Sequence, residues 1–329
     1  MDEGLTMNFR RLVQGLVGFG AALALVIAAA PPSQAAVHYV QMSNASAADP
    51  GLSHFGKSYY VYTTGGGMAV FRASTMTKPF SKVGSIYKTV PSGYKAMWAP
   101  HVFQHGSYYF ATFTAQQGGN QHCVYWAVST SPTGGFSAPH LVTCGNGWEA
   151  IDPTFYSGGT GSWIVYKRGH YTPGYIGNTY YGGFPHGDFQ IRAINVTVSG
   201  KTLRFGTNRV LVSAPDTTVM EAPSLIWHSK KLWLFVSRSR YDTNAYYTQV
   251  WSASNLASPF HKVKTLMKNG QGWGHGPGGA EVLQNGSTTY IAYHAWEANK
   301  PTPATPGKRV TRFATITWTA NGPAITSLG

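Results

Sequence analysis

Three acids in this chain recur in one local setting. Asp49-Pro50-Gly51-Leu52, Ala150-Ile151-Asp152-Pro153 and Glu221-Ala222-Pro223-Ser224-Leu225 each set a carboxyl group against a proline, then an apolar run, a small turn and an aromatic strand. Nine acids remain once the first 36 residues, with Asp2 and Glu3, are set aside, and these three share one place in a repeated unit. Three carboxylates gathered in one pocket are costly unless they perform a task. The task that needs them is cleavage of a glycosidic bond: one carboxylic acid protonates the leaving oxygen while a carboxylate on the opposite face of the sugar activates water. A third beside the acid raises its pKa by like-charge repulsion. Acids carried on different parts of a ring leave room for that water, which favours inversion and a carboxyl separation of roughly 6.5–9.5 Å. A lone Asp before Pro is also a common turn starter, and it is the recurrence that argues against that reading.

The elements that must position these acids follow from the repeat. Two further copies keep the proline without the acid, Ala99-Pro100-His101-Val102 before Tyr108-Tyr109-Phe110 and Gly276-Pro277-Gly278-Gly279 before Tyr290-Ile291-Ala292-Tyr293. Five copies at intervals of roughly fifty to seventy residues mean a repeat architecture. Second halves recur too, as in Ala69–Ser74 before Lys78-Pro79-Phe80 and Gln249–Ser254 before Ser258-Pro259-Phe260. Each unit thus holds about four short strands, one propeller blade. The expected fold is all-β, a five-bladed β-propeller, in which equivalent positions face one another across the axis. An insertion rich in Gly and Tyr, His170 to Asp188, is a candidate wall at the pocket mouth.

Composition agrees. Only 11% of residues are charged while 14% are aromatic, with 39 Gly and 19 Pro, a palette for short strands and tight turns rather than long helices. The net charge of +14 is scattered singly, the longest basic runs after the N-terminus being Lys230-Lys231 and Lys308-Arg309. That pattern excludes a nucleic-acid footprint and leaves a solvated basic surface, or one drawn to an acidic polysaccharide such as pectin or glucuronoxylan.

Residues 1–36 read as a signal peptide: Arg10-Arg11, an apolar run from Leu12 to Ala30, then Ser33-Gln34-Ala35-Ala36 for cleavage. Met7 is an alternative start, and an uncleaved anchor is the alternative fate of the apolar run. The expected mature domain, 37–329, is secreted, has no membrane contact after cleavage and is monomeric. Cys123 and Cys144 are expected to pair after export and to staple the end of the second repeat to the start of the third.

Ala48-Asp49-Pro50, Trp98-Ala99-Pro100, Ala150-Ile151-Asp152-Pro153, Met220-Glu221-Ala222-Pro223, Gly274-His275-Gly276 and Tyr293-His294-Ala295-Trp296, in this order, resemble glycoside hydrolase family 43. That family comprises propeller arabinanases, arabinofuranosidases and xylosidases, and the likeness spans the exported chain to Asn321-Gly322-Pro323. The resemblance implies that Asp49 is the general base, Glu221 the general acid and Asp152 the carboxylate that tunes the acid, and that Arg309 reaches sugar hydroxyls. It also implies a histidine beneath the pocket, His275, that in some members helps hold calcium or another ion through water; no cofactor is required. Where the family usually has an acid after Trp-Ala-Pro, this chain has His101, a departure that bears on substrate contacts.

Trp98, Trp148 and Trp273 are candidate platforms for sugar rings or propeller core. His101 and His294 complete the expected substrate contacts. Glu149 is read as structural, because alternation along a strand should turn it away from the pocket. The expected partner is a plant cell-wall polysaccharide or oligosaccharide, with release of α-L-arabinofuranosyl units. A β-xylosidase, an endo-arabinanase and a sugar-binding propeller without turnover are the alternatives. A fructan-cleaving propeller is disfavoured because its Asn-Asp-Pro-Asn motif is absent around Asp49.

Overall fold

The structure is a computed structural model that describes residues 42, 46–145, 148–159, 161–169, 189–214, 219–297 and 307–328. The signal segment and the 170–188 insertion lie outside the described residues. Among the described residues no helix is long and apolar enough to cross a membrane.

The chain is a five-bladed β-propeller of four-stranded antiparallel sheets, each wound in chain order from the axis outward. Blade 1 is β1 (Gly51–Phe55), β2 (Ser58–Tyr62), β3 (Ala69–Ala73) and β4 (Ser81–Ser85). Blade 2 is β5 (Tyr94–His105), β6 (Tyr108–Gln117), β7 (His122–Ser129) and β8 (His140–Cys144). Blade 3 is β9 (Glu149–Gly158), β10 (Gly161–Gly169), β11 (Phe189–Ser199) and β12 (Thr202–Ala214). Blade 4 is β13 (Met220–His228), β14 (Lys231–Arg238), β15 (Tyr247–Ala253) and β16 (His261–Met267). Blade 5 is β17 (His275–Asn285), β18 (Thr288–Trp296), β19 (Arg309–Thr319) and β20 (Gly322–Thr326).

Strands such as Ser58-Tyr59-Tyr60-Val61-Tyr62 are apolar without interruption because a blade is covered on both faces. Successive side chains point to opposite sides of a sheet. Accordingly Tyr60 and Tyr62 pack with Met97, Val102 and Phe113 of blade 2, whereas Tyr59 and Val61 pack with Ala292 and Phe313 of blade 5. Similar clusters join blades 2 and 3 (Phe110, Trp126, Ile164, Tyr166), 3 and 4 (Val165, Ile191, Leu234, Val236), and 4 and 5 (Phe235, Val250, Ile291, Tyr293). The core is thus a ring of five interfaces rather than one central mass. The N-terminal end helps to close it: the Ala47 N–H donates to the Arg309 carbonyl at 2.8 Å and Thr311 Oγ1 donates to the Ala47 carbonyl at 2.8 Å.

Cys123 and Cys144 form a disulfide. It lies within blade 2, where the two residues stand opposite each other on β7 and β8, so it ties the outer edge of one blade rather than linking two repeats. The position follows from the register: a directly opposed antiparallel pair brings two Cα atoms to bridging distance, here 4.4 Å. Replacing both cysteines by Ala is expected to cost about 3 kcal/mol, the loop-closure value for a sequence separation of 21. An unchanged denaturant midpoint would show that the edge strand is held by its ladder alone.

Candidate active site

The innermost strands carry a repeated irregularity. In every blade a residue near the start of the strand adopts left-handed backbone: Asp49 (φ 51°), Ala99 (φ 43°), Asp152 (φ 55°), Ala222 (φ 49°) and Gly279 (φ 60°). On β5, β9, β13 and β17 the pairing register shifts across this residue. Such a bulge turns the strand and re-aims its side chains. Asp tolerates the left-handed region better than most residues, whereas an Ala there stores strain of the sort found at functional sites. Gly279 is required for a second reason: a Cβ on it would stand 2.5 Å from His294 Nδ1.

Two details of the repeat differ from the spacing of the prolines. In blade 5 the equivalent of Asp-Pro is Gly279-Ala280, not Gly276-Pro277. In blade 4 the slot shared with Asp49 and Asp152 belongs to Ala222, and Glu221 occupies the preceding position, level with Trp98 and Ile151. The bulge still brings all three acids to one cavity of about 220 Å³, lined also by Thr64, Trp98, His122, Glu149, Ile151, Tyr246 and Arg309, with Ser239, Arg240, Tyr241 and Asp242 along one side.

The three carboxyl groups differ in surroundings. Asp49 Oδ1 receives a hydrogen bond from Arg309 Nη1 at 3.1 Å and Oδ2 one from Thr64 Oγ1 at 2.5 Å. Burial opposes its ionisation, but the Arg309 guanidinium and the Thr64 hydroxyl outweigh that and hold its pKa below the usual carboxylate value. Asp152 is pushed well above its usual value by burial first and then by Glu221 and Asp49, although its Oδ2 accepts the Ala222 N–H at 3.0 Å. Glu221, buried, is also raised by burial, against the pull of Lys167 and of the Tyr246 hydroxyl, which donates to Oε1 at 2.9 Å. The arrangement therefore sets a carboxyl group at Asp49 that ionises more readily than usual against a coupled Asp152 and Glu221 pair that holds a proton more tightly than free carboxylates do.

Sequence reasoning missed several neighbours. Glu149 lines the cavity, contrary to its structural reading, and its Oε2 stands 3.2 Å from Lys167 Nζ while its Oε1 stands 3.3 Å from His122 Nδ1. Despite burial, Lys167 and His122 bring it down to about 2. Strand alternation does not turn Glu149 away from the pocket, because the left-handed residue at 152 interrupts it. Beneath the three acids lies a further carboxyl, Glu281, which accepts hydrogen bonds from Ser224 Oγ at 2.9 Å and Thr154 Oγ1 at 3.1 Å.

The other expected site residues separate. Trp98 lines the cavity, its ring tilted against that of His122 with centroids 4.0 Å apart. Arg309 also lines it, its guanidinium lying over the Tyr241 ring at 4.8 Å and near Trp296 at 5.8 Å. His101 sits below, buried, with Nδ1 3.5 Å from Glu281. His294 has no exposed surface with which to meet a sugar; instead its Nδ1 accepts the Asp49 N–H at 3.1 Å. Burial brings His294 down to about 3, so the neutral ring is a prop behind Asp49 rather than an ion-pair partner. Trp148 lies under the Arg168 guanidinium and Trp273 packs on the core between blades 4 and 5, and neither lines the cavity. His275 Nδ1 is 3.1 Å from Asn269 Oδ1. Among the described residues no group of three or more His, Cys, Asp or Glu could hold a metal ion.

The sequence profile described as "Glycosyl hydrolases family 43" matches residues 42–323. A probable arabinan endo-1,5-α-L-arabinosidase B of Aspergillus fumigatus is 28% identical over 152 residues, 44% of this chain and 39% of that protein. The match thus spans about two fifths of that relative's length. A thermostable family-43 glycoside hydrolase superposes with a TM-score of 0.71 over 87% of this chain and 94% of its own, at 17% identity. An α-L-arabinofuranosidase from Lactobacillus brevis does so with 0.65 over 86% and 95%, at 18% identity.

Proposed function

The chain belongs to glycosyl hydrolase family 43, and from that premise we propose that it is an inverting exo-acting hydrolase that releases terminal α-L-arabinofuranosyl units from arabinan or arabinoxylan. The observation that carries the reading is the unequal trio on the axis. Asp49, kept ionised by Arg309, takes the proton of a water as its oxygen bonds to the anomeric carbon. Glu221, whose hold on its proton is strengthened by burial, gives that proton to the glycosidic oxygen as that bond breaks, and the neighbouring Asp152, coupled to it, is the carboxyl group that tunes the acid. Product and leaving alcohol then depart, and solvent returns the proton balance.

Size and charge support the substrate class. About 220 Å³ is less than the roughly 300–1,000 Å³ that encloses a drug-sized ligand, and suits one or two sugar units rather than a length of chain. Of the eleven Asp and Glu in this basic chain, five (Asp49, Glu149, Asp152, Glu221 and Asp242) line the cavity. A neutral pentosyl group suits such a lining better than a uronate, which would be repelled. The reading includes export, resting on the apolar segment before Ala36, and action as a monomer on cell-wall glycan outside the cell.

The test is product analysis of purified protein on nitrophenyl α-L-arabinofuranoside, nitrophenyl β-xyloside and debranched arabinan. Arabinose as the first product from arabinan, initially as the β-anomer by ¹H NMR, is expected. Oligosaccharides as first products would replace exo by endo action, and xyloside preference would replace the sugar. Silence on all three with retention on an arabinan affinity gel would make it a binding protein.

A further inference from the structure

Around the axis, the second strand of each blade sets one side chain opposite the residue that precedes the left-handed position. These five are Thr64, just after β2, then Thr114, Lys167, Ser237 and His294. Four of them perform the same service, accepting the N–H of the left-handed residue in the next blade. Thr64 Oγ1 takes Ala99 at 2.9 Å, Thr114 Oγ1 takes Asp152 at 3.0 Å, Ser237 Oγ takes Gly279 at 2.8 Å and His294 Nδ1 takes Asp49 at 3.1 Å. The ring of blades is thereby laced together by neutral acceptors.

Blade 3 is the exception. A lysine ammonium has no acceptor, so the next N–H, that of Ala222, goes to Asp152 Oδ2 at 3.0 Å instead. The Lys167 side chain is 0% exposed, and a buried charge is costly where Ser or Thr would satisfy the same backbone. Its ammonium lies 3.2 Å from Glu149 Oε2, 3.7 Å from Glu221 Oε2 and 5.4 Å from the Phe189 ring centre. Glu149 divides its own oxygens between Lys167 and His122. Lys167 does not line the cavity, so it acts on the chemistry only through other groups.

We propose that Lys167, balanced by Glu149, is a positioning residue for Glu221: the pair sets how readily that carboxyl gives up its proton. The two act in opposite senses, because the cation favours the carboxylate form of Glu221 and the Glu149 anion disfavours it. The other groups acting on Glu221 are the Tyr246 hydroxyl ahead of β15, Asp152 on β9 and Asp49 ahead of β1, and these stay in place in both variants below. The inference rests on the acid role given to Glu221 above.

Lys167→Met and Glu149→Gln separate this role from a structural one. With nitrophenyl α-L-arabinofuranoside, the alkaline limb of kcat/KM is expected to move up in Lys167→Met by about 1–3 pH units, the effect of removing an opposite charge at such range. In Glu149→Gln it is expected to move down, and in the double variant to fall between. Loss of kcat in Lys167→Met should be steeper for alkyl than for aryl leaving groups, with KM little changed. Independently of turnover, the ¹³C-carboxyl resonance of Glu221, assigned by its loss in Glu221→Gln, should titrate with the same two opposite displacements. Limbs and resonance unmoved, or moved in one direction by both variants, overturn the proposal. If wild type hydrolyses nothing while the resonance moves as stated, the pair stands and the hydrolase reading falls. Glu149→Gln leaves Lys167 partnered by Glu221, and so keeps the question answerable should Lys167→Met fail to fold.

Discussion

Glu221→Gln is expected to lower kcat/KM on arabinan by about 10²–10⁴-fold, the usual worth of a positioned general acid, while leaving KM nearly unchanged. Gln keeps the volume and can still accept the Tyr246 hydroxyl, so the loss reads chemistry rather than shape. With a dinitrophenyl arabinofuranoside, whose leaving group departs without a proton, the loss should shrink to a small factor. The alkaline limb should vanish with it, since the group that must be protonated is gone. A stability change accompanies this. Because the folded pKa of Glu221 is raised, the native state holds a proton that the unfolded chain has released, and wild type loses stability as pH rises from about 4.5 through the folded value. The variant lacks that slope, so its thermal midpoint relative to wild type should climb between pH 4 and pH 8. An equal loss on both kinds of leaving group would take the acid role away from Glu221.

Asp49→Asn should cost a comparable factor, about 10²–10⁴-fold, but on every substrate alike, because activating water is needed whatever the leaving group. Asn also tolerates φ near 51°, so the bulge survives. Asp49→Gly removes the side chain without straining that backbone, and added formate, a small carboxylate able to enter the vacated space, should restore part of the rate in proportion to its concentration. The acidic limb of wild type, which belongs to Asp49, should lie below the ordinary carboxylate range, and both variants should lose it. Stability has the opposite sign from the previous case. A depressed folded pKa contributes stability above the unfolded value of 3.8, lost as pH falls through the folded one, so the variants should be less stable than wild type at pH 6 and converge on it in acid. Formate without effect, or a leaving-group dependence like that of Glu221→Gln, would exchange or remove the assigned role.

Some of this was legible before any coordinates. Recurrence of acid and proline marked Asp49, Asp152 and Glu221, and the aromatic runs that follow them, such as Ser58–Tyr62, marked strands. Recurrence could not give the register. Glu221 stands one position ahead of the slot held by Asp152, and the fifth blade aligns at Gly279 rather than Gly276, because motifs were matched on proline while the fold aligns the left-handed residue. Trp148 and Trp273 read equally as sugar platforms or propeller core, because an indole serves on a sugar, under a guanidinium or in an inter-blade core, and here Trp148 lies under Arg168 and Trp273 in the core.

Composition and periodicity, then, sufficed for what depends on neighbours along the chain: the β class, five similar units, the two cysteines and which acids recur. Only the tertiary structure decided which way side chains face once a bulge interrupts alternation, and which charges meet across the axis. Glu149, Lys167 and Glu281 carry no local signal, since their roles arise from partners 18 to 127 positions away. The physical reason is that burial and Coulomb forces act through space, and ring closure brings together groups that the order of residues keeps apart.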